Sequence, residues 1–387
     1  MSNTPKLPIY LDYQATTPLD RRVLDSMLPY LTDKFGNPHS INHSFGWEAE
    51  AGVEKARIDL ARLIGAESDS LIFTSGATES NNLAIKGAAY AGYPQRTHVI
   101  TVATEHKCVL ESCRALEQGG FEVTYLPVDK DGLVDLDHLR DSITDKTSLV
   151  SVMAVNNEIG VVQDIAHIGA LCREKGVLFH TDAAQAVGKI PLDVNRMHID
   201  LLSISGHKFY GPKGIGALYI RQEPEVPLLP LLNGGGQEKG LRSGTLSPAL
   251  CAGLGHAAAL AEREMEQDMQ HADKLSRKLK NRLFQALEGV KLNGHETQRW
   301  PGNLSLTFDG VKSDVLIAEL RDIAVSSGSA CSTVKVGPSH VLQALGLNKK
   351  QLESTLRIGI GRMTTEAEID YAATVLIDKV RHTRSLL

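Results

Sequence analysis

Lys208 stands in Ser203-Ile204-Ser205-Gly206-His207-Lys208-Phe209-Tyr210-Gly211-Pro212-Lys213-Gly214-Ile215-Gly216, a stretch rich in hydroxyl, imidazole and glycine. The apolar run 199–203 reads as a strand that delivers the chain into the turn presenting this lysine. Glycines at 211, 214 and 216 let the backbone bend sharply before the next strand, 217–220. A lysine so placed suits a Schiff base with an aldehyde cofactor whose phosphate lies beside it. An exposed lysine in a glycine-rich turn carries the same signature, and the stretch alone leaves both readings open. Asp182 separates them. It follows the strand Val177-Leu178-Phe179-His180, 26 residues before Lys208, in Thr181-Asp182-Ala183-Ala184-Gln185. An aspartate there can keep the pyridinium nitrogen of pyridoxal phosphate (PLP) protonated, making the ring an electron sink, or can simply cap a helix. Aspartate and lysine on successive strand ends of one sheet favour the cofactor.

Other residues offer further parts of a site. Ser75-Gly76-Ala77-Thr78-Glu79 follows the strand Leu71-Ile72-Phe73 and opens a helical stretch. Backbone N–H groups there, with the Thr78 hydroxyl, form an anion site at a helix N-terminus, although a simple cap has the same pattern. Arg357, in Thr355-Leu356-Arg357-Ile358-Gly359, offers a fork of donors that matches a carboxylate in two hydrogen bonds. An outward-facing strand arginine is equally compatible with the run. Cys331 sits in Ser326-Ser327-Gly328-Ser329-Ala330-Cys331-Ser332-Thr333, small residues that read as a loop exposing a thiol; a structural cysteine prefers an apolar run. His106, in Thr104-Glu105-His106-Lys107, follows a strand and by position alone is a loop or capping residue as readily as a functional one. His39 and His43 are four apart, but Asn37-Pro38 and Gly46 argue against a helix and no third ligand accompanies them, so no metal site is expected. Gly234-Gly235-Gly236 lacks the strand and spacing of a dinucleotide fingerprint.

Taken together, Ser205-Gly206-His207-Lys208, Gly211-Pro212-Lys213-Gly214-Ile215-Gly216 and His180-Thr181-Asp182-Ala183-Ala184-Gln185 resemble the NifS/IscS-type cysteine desulfurases, PLP enzymes of fold type I in the class V aminotransferase family. The likeness runs from Tyr10-Leu11-Asp12-Tyr13-Gln14-Ala15-Thr16-Thr17-Pro18 to about residue 375, with its motifs in the family's order. The resemblance implies that His106 stacks on the cofactor ring and moves protons, and that Gln185 hydrogen-bonds a ring oxygen. It places Asn157 beside ring and substrate carboxylate, Arg357 on that carboxylate, and Ala77, Thr78, Ser205 and His207 on the phosphate. Thr245, in Arg242-Ser243-Gly244-Thr245, corresponds to a residue reaching the phosphate from a neighbouring subunit, which implies a homodimer. Cys331 matches the catalytic cysteine of the family's longer-loop subgroup. The implied reaction removes sulfur from L-cysteine, with Lys208 taking the α-proton, and leaves alanine and a persulfide on Cys331. The persulfide would pass to an acceptor for iron–sulfur cluster assembly or tRNA thiolation. A selenocysteine lyase or an aminotransferase of the same fold is the alternative. The chain ends at Leu387, without the longer tail that the resemblance associates with scaffold docking, so the acceptor stays open.

These residues need a sheet to bring them together. Short apolar runs at 71–73, 99–103, 123–126, 149–155, 177–180, 201–204 and 217–220 alternate with helical stretches, the pattern of a mainly parallel α/β sheet with ligands at its C-terminal edge. Ser247-Pro248 opens a charge-rich helix extending to about Gly289, with Leu275, Leu279, Leu283 and Leu287 on one face. Beyond it a smaller α+β domain is expected, with strands at 303–308, 324–326 and 356–360, helices at 313–320 and 339–345, and a last helix opened by Thr365-Glu366-Ala367-Glu368. The expected division is a large PLP-binding domain over 16–260 and a small domain of 1–15 plus 261–387.

Bulk composition is ordinary for a soluble globular protein. The chain has 387 residues, 42% hydrophobic and 22% charged, with a net charge of −5, so no global positive field draws nucleic acid or acidic lipid. The most apolar loop, Val226-Pro227-Leu228-Leu229-Pro230-Leu231-Leu232, is short and broken by proline, so no membrane span is expected. Neither an export nor a transit signal opens the sequence, and a cytoplasmic location is expected. Five cysteines without a Cys-x-x-Cys pair fit neither a disulfide scaffold nor structural zinc.

Overall fold

The apolar runs of the first half share one sheet. A computed structural model describes residues 5–327 and 337–385; Cys331 lies outside them. The strands are Leu71–Thr74 (β1), His98–Val102 (β2), Glu122–Leu126 (β3), Thr147–Ser151 (β4), Leu178–Asp182 (β5), Leu201–Ser205 (β6) and Gly216–Ile220 (β7). They lie in the order β1-β7-β6-β5-β4-β2-β3. From β6 to β3 the pairing is parallel, while β7 runs antiparallel to both β6 and β1. The cause is the connection. Residues 206–215 are too few for the crossover of a dozen or more that a parallel return needs. The C-terminal ends of β1 to β6 therefore share one edge, and β7 begins there.

The run expected as a strand to residue 155 is regular only to Ser151: Val152 and Ala154 N–H still donate to His180 O and Asp182 O of β5, but Met153 N–H turns to Glu105 Oε1 (2.6 Å) and Val155 bridges back to Val162. His39 and His43 do not share a helix. The helix Ser44–Leu63 begins after His43, whose Nδ1 accepts from Gly46 N–H (3.2 Å). Gly46, read as a breaker, lies inside that helix because a Cβ there would stand 1.8 Å from Ser40 O. Close packing, not bending, requires the glycine.

The helix Pro248–Ala286 joins two of the apolar cores found among the described residues. Ser247 Oγ caps it by accepting from Leu250 N–H (3.4 Å), and Pro248 takes the first turn, where its missing N–H costs nothing. Cys251, Leu254, Ala258 and Ala261 bury in the core beneath the seven-stranded sheet. One turn after another later, Leu275, Leu279 and Leu283 enter the second core, with Leu287 just past the helix end. That second core is roofed by antiparallel strands Val290–Leu292, Asn303–Phe308, Thr355–Gly359 and Ser326–Ser327. Ile9–Tyr10 pairs with Ile323–Ala324 on the same unit. The last helix, Glu366–Ser385, opens on a reciprocal cap: Glu368 N–H donates to Thr365 Oγ1 (3.2 Å) and Thr365 N–H to Glu368 Oε2 (2.7 Å). No helix among the described residues is long and apolar enough to cross a membrane.

Candidate active site

The shared strand edge encloses a cavity of about 400 Å³. Every site residue expected from the sequence lines it except Arg357, Thr245 and, outside the described residues, Cys331. Asp182 ends β5, almost fully buried. Its Oδ2 accepts from Asn81 Nδ2 (2.7 Å) and its Oδ1 from Ala184 N–H (2.9 Å), so it also caps the turn that follows. Sequence reading missed Asn81; its signal was the spacing, three residues after Thr78 on the same helix, Ala77–Gly92.

Lys208 leaves the short 3₁₀ turn Gly206–Lys208 after β6. Its Nζ donates to the carbonyls of Gln14 (2.8 Å) and Ala15 (2.9 Å). The N-terminal strip is stitched to this turn: Thr17 N–H donates to His207 O (2.9 Å), and Tyr210 N–H to Thr17 Oγ1 (2.8 Å). Gln14 and Thr16 therefore line the cavity, a contribution hidden in sequence because 190 residues separate the partners. Burial first, then the charges of Lys208, Lys213 and Lys189, push the His207 imidazole down to about 4.

Opposite Lys208, the N-terminus of the helix Ala77–Gly92 brings Thr78 to the wall, beside Ser205 and His207. Unpaired N–H groups at a helix start, with hydroxyl and imidazole donors, make a place for an anion. Gly216 makes the approach possible, since a Cβ there would stand 2.7 Å from Gly76 Cα and 2.3 Å from Ile204 O. Glu79 accepts from Ser75 N–H (2.7 Å) and from Arg242 Nε (2.8 Å). Burial pushes its carboxyl up, but these bonds prevail and hold it below its ordinary range.

His106 is the N-cap of the helix Lys107–Gln118, its Nδ1 accepting from Cys108 N–H (3.3 Å) with Cys108 Sγ 3.0 Å away. Capping and lining the cavity are thus one placement, not alternatives. Burial lowers its imidazole below the ordinary value, Asp182 opposing the effect and Lys208 adding to it, which favours the neutral ring. The Cys108 thiol is pushed up to about 12, chiefly by burial. Glu105, wholly buried beside these residues, is raised well above its usual range by burial.

Arg357 points inward, not outward: it is 1% exposed, with Nη2 2.9 Å from Asp12 Oδ1 and Nη1 donating to Asn157 O (3.1 Å). Its Nε is buried with no acceptor among the described residues. Asn157 lines both this cavity and a neighbouring one of about 570 Å³ that also holds Glu158, Ser339 and His340. Ser339 Oγ donates to Glu158 Oε2 (2.5 Å), and His340 Nε2 lies 2.9 Å from Glu105 O. Ser326 Oγ donates to Asp12 Oδ2 (2.7 Å). Thr245 is exposed and outside its own chain's cavity.

Residues 9–372 match the family described as aminotransferase class-V. The cysteine desulfurase IscS of Rickettsia bellii (strain OSU 85-389) is 58% identical over 380 residues, covering 98% of this chain and 93% of the relative. That of Rickettsia felis (strain ATCC VR-1525 / URRWXCal2) is 56% identical over 384 residues, covering 99% and 94%. Among solved structures, a NifS-like protein superposes with a TM-score of 0.90 at 36% identity, over 98% of this chain and 100% of that one. SspA in complex with cysteine superposes with a TM-score of 0.82 at 39% identity, over 92% and 100%.

Proposed function

This chain belongs to the aminotransferase class-V family, and from that premise we infer that it is a cysteine desulfurase, taking sulfur from L-cysteine and releasing alanine. The observation that carries the reading is the meeting of Lys208, Asp182 and His106, from three different strand ends, on one cavity. The cofactor in this reading is pyridoxal 5′-phosphate, and the donor set suits it. A phosphate needs N–H and O–H donors, supplied by Ala77, Thr78, Ser205 and His207. A pyridine nitrogen needs a carboxylate, supplied by Asp182 already braced by Asn81. An aldehyde needs an amine, supplied by Lys208. When bound, PLP supplies an aldehyde that captures the amino group of cysteine and a protonated ring that draws electrons from its α-carbon.

The chain's own groups then divide the work. Asp182 holds the proton on the ring nitrogen. Lys208 Nζ, once the substrate amine takes its place, removes the α-proton. His106 Nδ1 is occupied by Cys108 N–H, which leaves the neutral ring's proton on Nε2 for transfer. Gln185 donates to the ring oxygen. Asn157 lines the cavity and would meet the substrate carboxylate, and Arg357, set behind it with both Nη atoms engaged, has a buried Nε without an acceptor among the described residues that a carboxylate would satisfy. Cys331 would attack the substrate sulfur as a thiolate: an S–S bond forms as the substrate's Cβ–S bond breaks, the electron pair stays on the substrate's carbon side, which takes up a proton to become alanine, and a persulfide remains on the enzyme. Ser326 and Ser339, on either side of residues 328–336, hydrogen-bond to Asp12 and Glu158 beside the site, which supports this assignment. The persulfide passes to an acceptor protein serving iron–sulfur cluster assembly or tRNA thiolation.

A homodimer completes the reading. Leu31, Phe35, Ile41, Phe45 and Trp47 are exposed, and the rings of Phe35 and Phe45 lie 5.4 Å apart. Exposed apolar side chains gathered in one segment of the chain favour a second copy, and the exposed Thr245 would then serve the partner's phosphate. Product analysis tests the activity. Given PLP, L-cysteine and a reductant, the purified chain should release alanine and sulfide in equal amounts. A keto acid from amino exchange would reassign it to the aminotransferases; turnover of selenocysteine but not cysteine would reassign it to the lyases.

A further inference from the structure

Lys189 is a lysine out of place. It is 7% exposed, its burial is opposed by no carboxylate among the described residues, and it does not line the cavity that Lys208 lines. Burying an unpaired ammonium is costly, and burial, then the charges of Lys208 and Arg357, push this one down to about 7. Its Nζ donates to Gln185 Oε1 at 2.6 Å, one turn earlier in the chain. On the other side of the carboxamide, Gln185 Nε2 donates to Gln14 O (2.9 Å), the same oxygen that accepts from Lys208 Nζ (2.8 Å). The Gln14 carbonyl oxygen can only accept, and Lys189 in its ammonium form can only donate, so both anchors then demand the same orientation of the amide. The oxygen is drawn back toward Lys189 and the N–H group is set beside Lys208.

We propose that Lys189 is a positioning residue: by holding Gln185 Oε1, it fixes the Gln185 amide with a donor, not an acceptor, available to the phenolic oxygen of PLP. The proposal rests on the reading that PLP occupies the cavity with Gln185 as its partner. Without Lys189 the amide oxygen would be left buried and unsatisfied, and only the Gln14 anchor would oppose a turn that brings it toward the ligand's oxygen.

A double-mutant cycle on PLP affinity of the apoprotein, measured by fluorescence titration, tests this without reference to turnover. Lys189→Met should weaken PLP binding roughly tenfold, the worth of one hydrogen bond to a charged group. Gln185→Leu should weaken it similarly, and the double variant no further than Gln185→Leu alone. Lys189→Gln keeps a donor on a neutral buried side chain and should restore affinity to within about threefold. The proposal is overturned if Lys189→Met binds PLP like the parent, if the two losses multiply in the double variant, or if Lys189→Gln loses as much as Gln185→Leu. Thermal melts of each apoprotein report folding, and the Lys189→Gln comparison stands if the methionine variant does not fold. A parent protein that binds no PLP would instead refute the reading beneath the proposal.

Discussion

Asp182 is held at both oxygens, by Asn81 Nδ2 and the Ala184 N–H, so a pyridine nitrogen would meet a carboxylate already fixed in place. Asp182→Ala should weaken PLP binding and lower alanine release on the order of a hundredfold or more even at saturating cofactor. Asn81→Ala, which only frees the carboxylate to move, should fall between that variant and the parent. Near-normal turnover of PLP-loaded Asp182→Ala would remove the residue from the mechanism. At this scale the sequence was legible where chemistry restricts the residue type: few side chains other than lysine form a Schiff base, and few other than aspartate or glutamate hold a pyridinium. Asn81, Gln14 and Arg242 were not legible. Their part depends on which strand ends and loops meet, and an asparagine or glutamine in a helix or loop has many ordinary uses.

Among elements, β7 has the largest consequence for the site, because Gly216 sits opposite both Thr74 and Ser205. A methyl group there meets backbone on two sides, so neither neighbour can yield by a side-chain rotation. Gly216→Ala should cost about 1–3 kcal/mol of stability in urea unfolding. It should also weaken PLP binding by moving the start of the helix Ala77–Gly92 away from Ser205. An unchanged unfolding midpoint with parental PLP affinity would show that the strand has room to spare. Local periodicity read the long helix well, since Leu275, Leu279 and Leu283 are spaced for one face and all enter one core. It read 324–326 as a single strand, whereas Ile323–Ala324 pairs with Ile9–Tyr10 and Ser326–Ser327 with Thr355–Gly359. The break is set by two partners distant in sequence, which no local pattern records. The direction of β7 escaped for a similar reason, being fixed by the length of its connection.

At the scale of the whole molecule, the proposed homodimer would cover the apolar side chains around Phe35 and Phe45 and bring the exposed Thr245 to the partner's cavity. Sedimentation should therefore give a dimer at working concentration, and Thr245→Ala should weaken PLP binding without dissociating it. A fully active monomer would overturn the arrangement. The central claim is that sulfur passes to Cys331, and it is tested most directly by mass spectrometry of the PLP-loaded protein after a single turnover of L-cysteine. The account predicts one extra sulfur on the peptide containing Cys331, and in Cys331→Ser no persulfide and no catalytic alanine despite retained PLP. Sulfane sulfur on Cys108, Cys113, Cys172 or Cys251, with Cys331→Ser still active, would contradict it.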